Sequence, residues 1–178
     1  MRCFIIGAIA FLGVIGAAVV AFMLIMDSLF GVVPTPSDDA MIAHFNARRA
    51  AFEQLAAMAG KDRQLERLAG DWSRPDDPAA AGIGPQRLAR YRQLLRDAGT
   101  GGFYNFPNFG TVIFTFHSSG YVTSGEGRGF VHGNAPHDAE PVEGDLVDAA
   151  DRLAADGDSH IYLARKIAPD WWITLQRN

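Results

Sequence analysis

From residue 3 to residue 26 the chain reads CFIIGAIAFLGVIGAAVVAFMLIM, without one charged side chain. A run of about two dozen apolar residues exceeds the roughly 20 that a helix needs to cross a hydrocarbon core about 30 Å thick. A secretory leader has an apolar stretch of only about 7–15 residues and then a small-residue cleavage site. This run instead ends in Met26-Asp27-Ser28-Leu29-Phe30, and Cys3 precedes it, where it cannot serve as a lipoprotein acylation cysteine. The expectation is an uncleaved transmembrane helix with its tip over residues 1–30. Arg2 lies before it, whereas Asp27, Asp38 and Asp39 follow. The positive-inside bias then keeps the N-terminus in the cytoplasm and sends the rest across. For a bacterial inner membrane this means a single-pass protein with a periplasmic C-terminal domain. Ala10, Gly13, Ala17 and Ala21 form a small-residue stripe suited to packing against another helix.

Residues 31–37, GVVPTPS, read as a short linker stiffened by two prolines. The domain expected after it spans residues 38–178. Ser37 or Asp38 is placed to cap a helix, with acidic residues at its positive end. Met41, Ile42, Phe45, Phe52, Leu55 and Met58 then recur at helical spacing as far as Gly60. A shorter helical piece is expected over 62–68, and a proline-marked loop over 71–78. Pro85 suits a first helical turn, and Leu88, Tyr91, Leu94 and Leu95 mark a second clear helix closed by Gly99.

Beyond Thr100-Gly101-Gly102 the pattern turns to aromatic and β-branched runs: 103–106, 111–117, 121–124, 130–132, 159–167 and 171–177. Gly125-Glu126-Gly127-Arg128-Gly129 sits between strand-like runs, so it reads as a hairpin turn or bulge and not as a phosphate loop. Helices followed by an antiparallel meander predict an α+β fold: two or three helices on one face of an antiparallel sheet of about five strands.

Charge is unevenly placed. Residues 41–100 hold ten basic side chains against seven acidic ones. Residues 134–158 hold Asp138, Glu140, Glu143, Asp145, Asp148, Asp151, Asp156 and Asp158 against Arg152 alone. That block reads as a solvated face or as a surface that attracts a basic protein. With a net charge of -4 the chain offers no global footprint for nucleic acid. Its single cysteine excludes an internal disulfide and a multi-cysteine zinc site.

His132 and His137 with Asp138 place two imidazoles and a carboxylate in one loop, and His117 or His160 could add a third nitrogen. The spacing matches no zinc motif, so these three are weak metal candidates only. Ser118, Ser119 and Ser124 have no identifiable base, and Glu126 with Glu140 or Glu143 could form a glycosidase pair only at roughly 5–9.5 Å. No catalytic residue is assigned and no cofactor is expected. Alternation puts Trp171 and Trp172 on opposite faces, which makes Trp172 a candidate partner anchor.

Ser119-Gly120-Tyr121, Gly127-Arg128-Gly129-Phe130-Val131 and Tyr162 with Ile167, Trp171, Trp172 and Ile173 resemble a pattern in small bacterial membrane-anchored or lipoprotein periplasmic domains. The resemblance covers residues 100–175 and lacks the lipobox cysteine. It implies an α+β domain outside the cytoplasmic membrane and carries over no catalytic residue. The expected function is therefore protein binding without catalysis. One form is an immunity or inhibitor protein acting through Asp138, Glu140, Glu143, Asp145 and Trp172 on a basic toxin or envelope hydrolase. The alternatives are an accessory subunit of an inner-membrane complex, or an enzyme or metal-binding module built on His132, His137 and Asp138.

Overall fold

Phe103, Phe114, Phe130 and Ile173 stand opposite one another in register on four neighbouring strands, so their side chains share one sheet face. The helices cover that face. The computed structural model describes residues 34–121 and 124–178, and Thr35–Asn178 form one compact unit. In chain order the elements are α1 (Asp38–Lys61), β1 (Arg67–Ala69), β2 (Trp72–Arg74), α2 (Pro85–Ala98), β3 (Gly102–Phe106), β4 (Thr111–Tyr121), β5 (Ser124–Gly133), β6 (Glu140–Pro141), α3 (Leu146–Ala155), β7 (Ile161–Ala168) and β8 (Trp171–Arg177). The strands make a single sheet in the order β2-β1-β3-β4-β5-β8-β7-β6, antiparallel except between β6 and β7.

Helix α1 starts where the Ser37 hydroxyl accepts from the Ala40 N–H at 3.2 Å, with Asp38 and Asp39 in its first turn. Its stripe of Met41, Phe45, Phe52, Leu55 and Ala59 is buried. Phe45 lies 4.8 Å from Trp171 and Phe52 lies 4.8 Å from Phe130, centroid to centroid. The backbone leaves helical geometry at Arg48, between these two anchors. Asn105, buried on β3, donates to the Ala59 carbonyl at 3.0 Å and so satisfies the end of the same helix. Helix α2 begins at Pro85 and ends on Gly99 in the left-handed region, and His44 of α1 donates to its Ala98 carbonyl at 2.7 Å. Helix α3 lays Leu146, Ala149 and Ala150 over β7 and β8.

The architecture is α+β with three helices and eight strands, which corrects the expectation of about five. Strands β1 and β2 occupy stretches read as a helical piece and a proline loop, and β6 is two residues long. Pairing with neighbours makes strands this short, and periodicity cannot reveal them. Of the two readings of the glycine-rich segment 125–129, the turn fails, since the segment forms the first half of β5; an irregularity in register does lie there, between Thr115 and His117 opposite Gly129 and Arg128.

A second correction concerns the membrane. The transmembrane helix expected over residues 3–26, with Ala10, Gly13, Ala17 and Ala21 on it, lies outside the described residues. Among the described residues no helix is long and apolar enough to cross a membrane. The longest, α1, has 24 residues and carries Asp38, Asp39, Arg48, Arg49, Glu53 and Lys61. A single-pass inner-membrane protein with a periplasmic domain is therefore not supported, and that localisation is set aside.

Candidate functional site

The residues singled out in the sequence fall in three places. His137 and Asp138 lie in the loop after β5, strongly exposed, with Nδ1 of His137 and Oδ1 of Asp138 2.7 Å apart. Glu140 forms the sheet edge with Pro141, and Glu143 is exposed just beyond it. Asp145 caps α3, its carboxylate accepting from the N–H groups of Val147 and Asp148 at 2.8 and 3.2 Å. Asp151 pairs with Arg177 at 2.8 Å. The acidic block is thus a short helix and its approach, with part of its charge already engaged.

The metal candidates are not brought together. His132 packs against Trp171, 4.8 Å between ring centroids, whereas His137 lies beside Phe109 at 5.6 Å. Among the described residues no group of three or more His, Cys, Asp or Glu side chains could hold a metal ion. Glu126, on β5, accepts from Arg177 of β8 and is three strands away from Glu140 on β6. At about 4.8 Å per strand that separation is roughly 14 Å, too wide for a glycosidase pair.

Trp172 leads to a different surface. Tyr104, Ile113, Val131, Trp172 and Lys166 stand in register across β3, β4, β5, β8 and β7, on the face turned away from the helices. The next row on this face is Gly102, Thr115, Gly129, Thr174 and Ala164. Val131 and Ala164 are buried yet stand apart from the helix-side core. Around them Phe106 and Phe109 are 40% and 54% exposed, and Trp72 is 45% exposed. None of the three helices covers this face.

The relief of the face follows from residue size. Thr115, Gly127, Gly129 and Thr174 make a low floor between Tyr104, Phe106 and Tyr162, enclosing a groove of about 340 Å³. Gly129 is required by close packing, since a Cβ there would sit 2.9 Å from the Phe114 carbonyl oxygen. A Cβ on Gly127 would meet nothing nearer than 4.0 Å. Phe106, Ile113 and Tyr162 line both this groove and a smaller one beside Phe109, His137 and Asp138. Burial, and then the negative charge of Asp138, push the Tyr162 phenol above its ordinary range. Lys166 Nζ lies 5.4 Å from the Trp172 ring, and the indole N–H donates to the Gly133 carbonyl at 3.3 Å.

At the other end, past Tyr104 and Phe106, Arg63, Arg67 and Arg74 line a depression of about 330 Å³ together with Glu66. The Arg67 guanidinium is held between two rings, 4.3 Å from Trp72 and 4.2 Å from Tyr104. Sequence reasoning assigned most aromatics to the core and passed over this surface. The available signal was the alternation Phe103 in, Tyr104 out, Asn105 in, Phe106 out, with Arg67 and Arg74 in the preceding segment.

Comparison with models of protein families, with curated proteins and with solved structures found no match.

Proposed function

We propose that this domain is a protein-binding module without catalytic activity, and that the open sheet face takes an extended partner segment carrying acidic and apolar side chains. One observation carries the reading: aromatic side chains line a connected groove on a sheet face that no described helix covers. Aromatic anchors beside arginines are the composition of energetic hot spots in protein interfaces. The arginine-lined end gives the occupant its sign. Binding is favoured over catalysis because the histidines are dispersed and not gathered into one site: His44 on a helix end, His132 on Trp171, His137 beside Asp138 and His160 beside Asn178.

A narrower form of the reading is an inhibitor that meets a basic toxin or hydrolase through Asp138, Glu140 and Glu143. Exposure of these side chains at the β6 edge favours it. Random peptides displayed on phage and selected on the full chain separate the two. The groove reading expects acidic–aromatic peptides whose binding drops about tenfold or more, about 1.4 kcal/mol, with Trp172→Asp or Gly127→Leu. Peptides that bind both variants as well as the parent overturn it. Basic peptides lost on combining Asp138→Asn, Glu140→Gln and Glu143→Gln place the interface at the acidic edge instead.

A further inference from the structure

We infer that Arg67 and Arg74 form a carboxylate-recognition pocket at the end of the groove. Arg67 and Arg74 are direct cross-strand partners, and Tyr104 faces Arg67 from the other side. Like charges directly opposite each other weaken a sheet. Here two arginines are paired across β1 and the edge strand β2. Among the described residues nothing neutralises the pair well. Among the described residues Arg67 has no acidic partner within ion-pair distance, and its buried Nε has no hydrogen-bond acceptor. The nearest acid to Arg74 is Glu66 at 3.9 Å, with both side chains mostly exposed. Arg63, on the same depression, gives one N–H to the Pro107 carbonyl at 3.2 Å. Three arginines against Glu66 leave an excess of positive charge around a cavity large enough for a small ligand group.

The clamp decides which anion fits. The Arg67 guanidinium carbon lies 4.3 Å from the Trp72 ring and 4.2 Å from the Tyr104 ring, and the N–H groups of any guanidinium point outward in its own plane. A carboxylate presents two oxygens in one plane and matches that edge. Phe106 and Phe109 line the same depression, so the carboxylate is one with an aromatic or apolar group next to it. A partner's C-terminal residue with an aromatic or apolar side chain meets this description. The inference rests on the open face being the partner surface, and it names the contact that fixes the partner's register there.

The test is a titration of the full chain with N-acetyl-phenylalanine, its amide and phenyl phosphate, following the Arg67 Nε and Trp72 indole signals by NMR. The acid is expected to bind about tenfold or more tightly than the uncharged amide, and to weaken as salt rises. Arg67→Lys is expected to lose at least about tenfold, because an ammonium cannot keep both the stack and the paired donors. Arg74→Gln leaves the clamp in place and should cost a smaller factor, about three- to fivefold. Equal binding of acid and amide overturns the pocket, as does phenyl phosphate binding tenfold better than the acid. Should Arg67→Lys fail to fold, the acid–amide comparison and Arg74→Gln still decide. Failure of the wider reading looks different: small acids bind at Arg67, yet peptides selected on the full chain ignore Trp172→Asp.

Discussion

Asp38 carries more of the fold than any other single polar residue. Fully buried, its carboxylate accepts from Arg128, from Arg165 at 3.1 Å and from the Leu146 N–H at 3.1 Å, while Arg128 also donates to the Pro36 carbonyl at 3.1 Å. One side chain thereby ties the start of α1 to β5, β7 and the start of α3. In the sequence Asp38 reads only as an acid at a helix N-terminus. Nothing local says that two arginines 90 and 127 positions away converge on it. Removing it leaves Arg128 charged and uncompensated, so Asp38→Ala should cost about 3–5 kcal/mol in urea unfolding. Asp39→Ala, on the exposed side of the same turn, should stay within about 0.5 kcal/mol. Equal losses at the two positions would remove the hub from this account. Tyr91 supplies the pH dependence. It is buried and donates to Asp62 at 2.8 Å, and burial followed by that hydrogen bond pushes its phenol well above the ordinary range. The folded chain then keeps the proton where the unfolded chain has released it. The associated stability is complete below about pH 10 and is lost as pH rises beyond that value. Thermal melting should therefore fall steeply in alkali. Tyr91→Phe should melt lower at neutral pH, by about 1 kcal/mol, and lose less on going alkaline.

Among the elements, α3 shows what a charged sequence can conceal. Its fully buried residues are only Leu146, Ala149 and Ala150, with Val147 and Leu153 partly buried against the core and Asp148, Asp151 and Arg152 interspersed. Charge therefore dominated a stretch that in fact packs. Asp145 holds its first turn, and Asp145→Ala should cost about 1 kcal/mol with faster hydrogen exchange at Val147 and Asp148. If exchange there is unchanged, the cap is not what starts the helix, and any effect of the substitution on a partner can be read as a contact. Helices α1 and α2 were legible because each announces itself locally, through Ser37 or Pro85 at the start, a long apolar stripe, and glycine at or near the end. The end of strand β5 was legible as the run 130–132, but its glycine-rich part was hidden for a physical reason. Gly129 serves close approach across strands, against the Phe114 carbonyl, and in one dimension that requirement looks like a turn. Strands β1 and β2 form a hairpin of three residues per strand joined to the sheet only through β3, and β6 pairs for two residues with β7, so each is too short for a local pattern to mark it. The open face was hidden by distance along the chain: Arg67, Trp72, Tyr104, Tyr162 and Trp172 become one surface only through the strand order.

At the scale of the whole molecule, the sheet separates its charges. The β1–β2 end carries Arg63, Arg67 and Arg74, and the β6–α3 end carries Glu140, Glu143 and Asp148, with the aromatic groove running between them. On the proposed reading such a surface would orient an approaching segment as well as hold it, so association should slow as salt is raised while the apolar contacts persist. Occupancy must also appear in global stability, since a ligand that binds only the folded chain raises its unfolding free energy by about 2.7 kcal/mol at a hundred times its dissociation constant. Gly127→Leu isolates that linkage. Position 127 lies inside β5 with open space where a Cβ would go, so the leucine should fold into place and fill the groove beside Tyr162 and Thr115. The unliganded variant should melt within a few degrees of the parent, a difference of about 1 kcal/mol or less, because it adds volume outside the core. With a selected peptide at saturating concentration, the parent should gain the full linkage term and the variant almost none. An equal gain in both would mean that the peptide binds elsewhere, and that the uncovered aromatic face has no part in recognition.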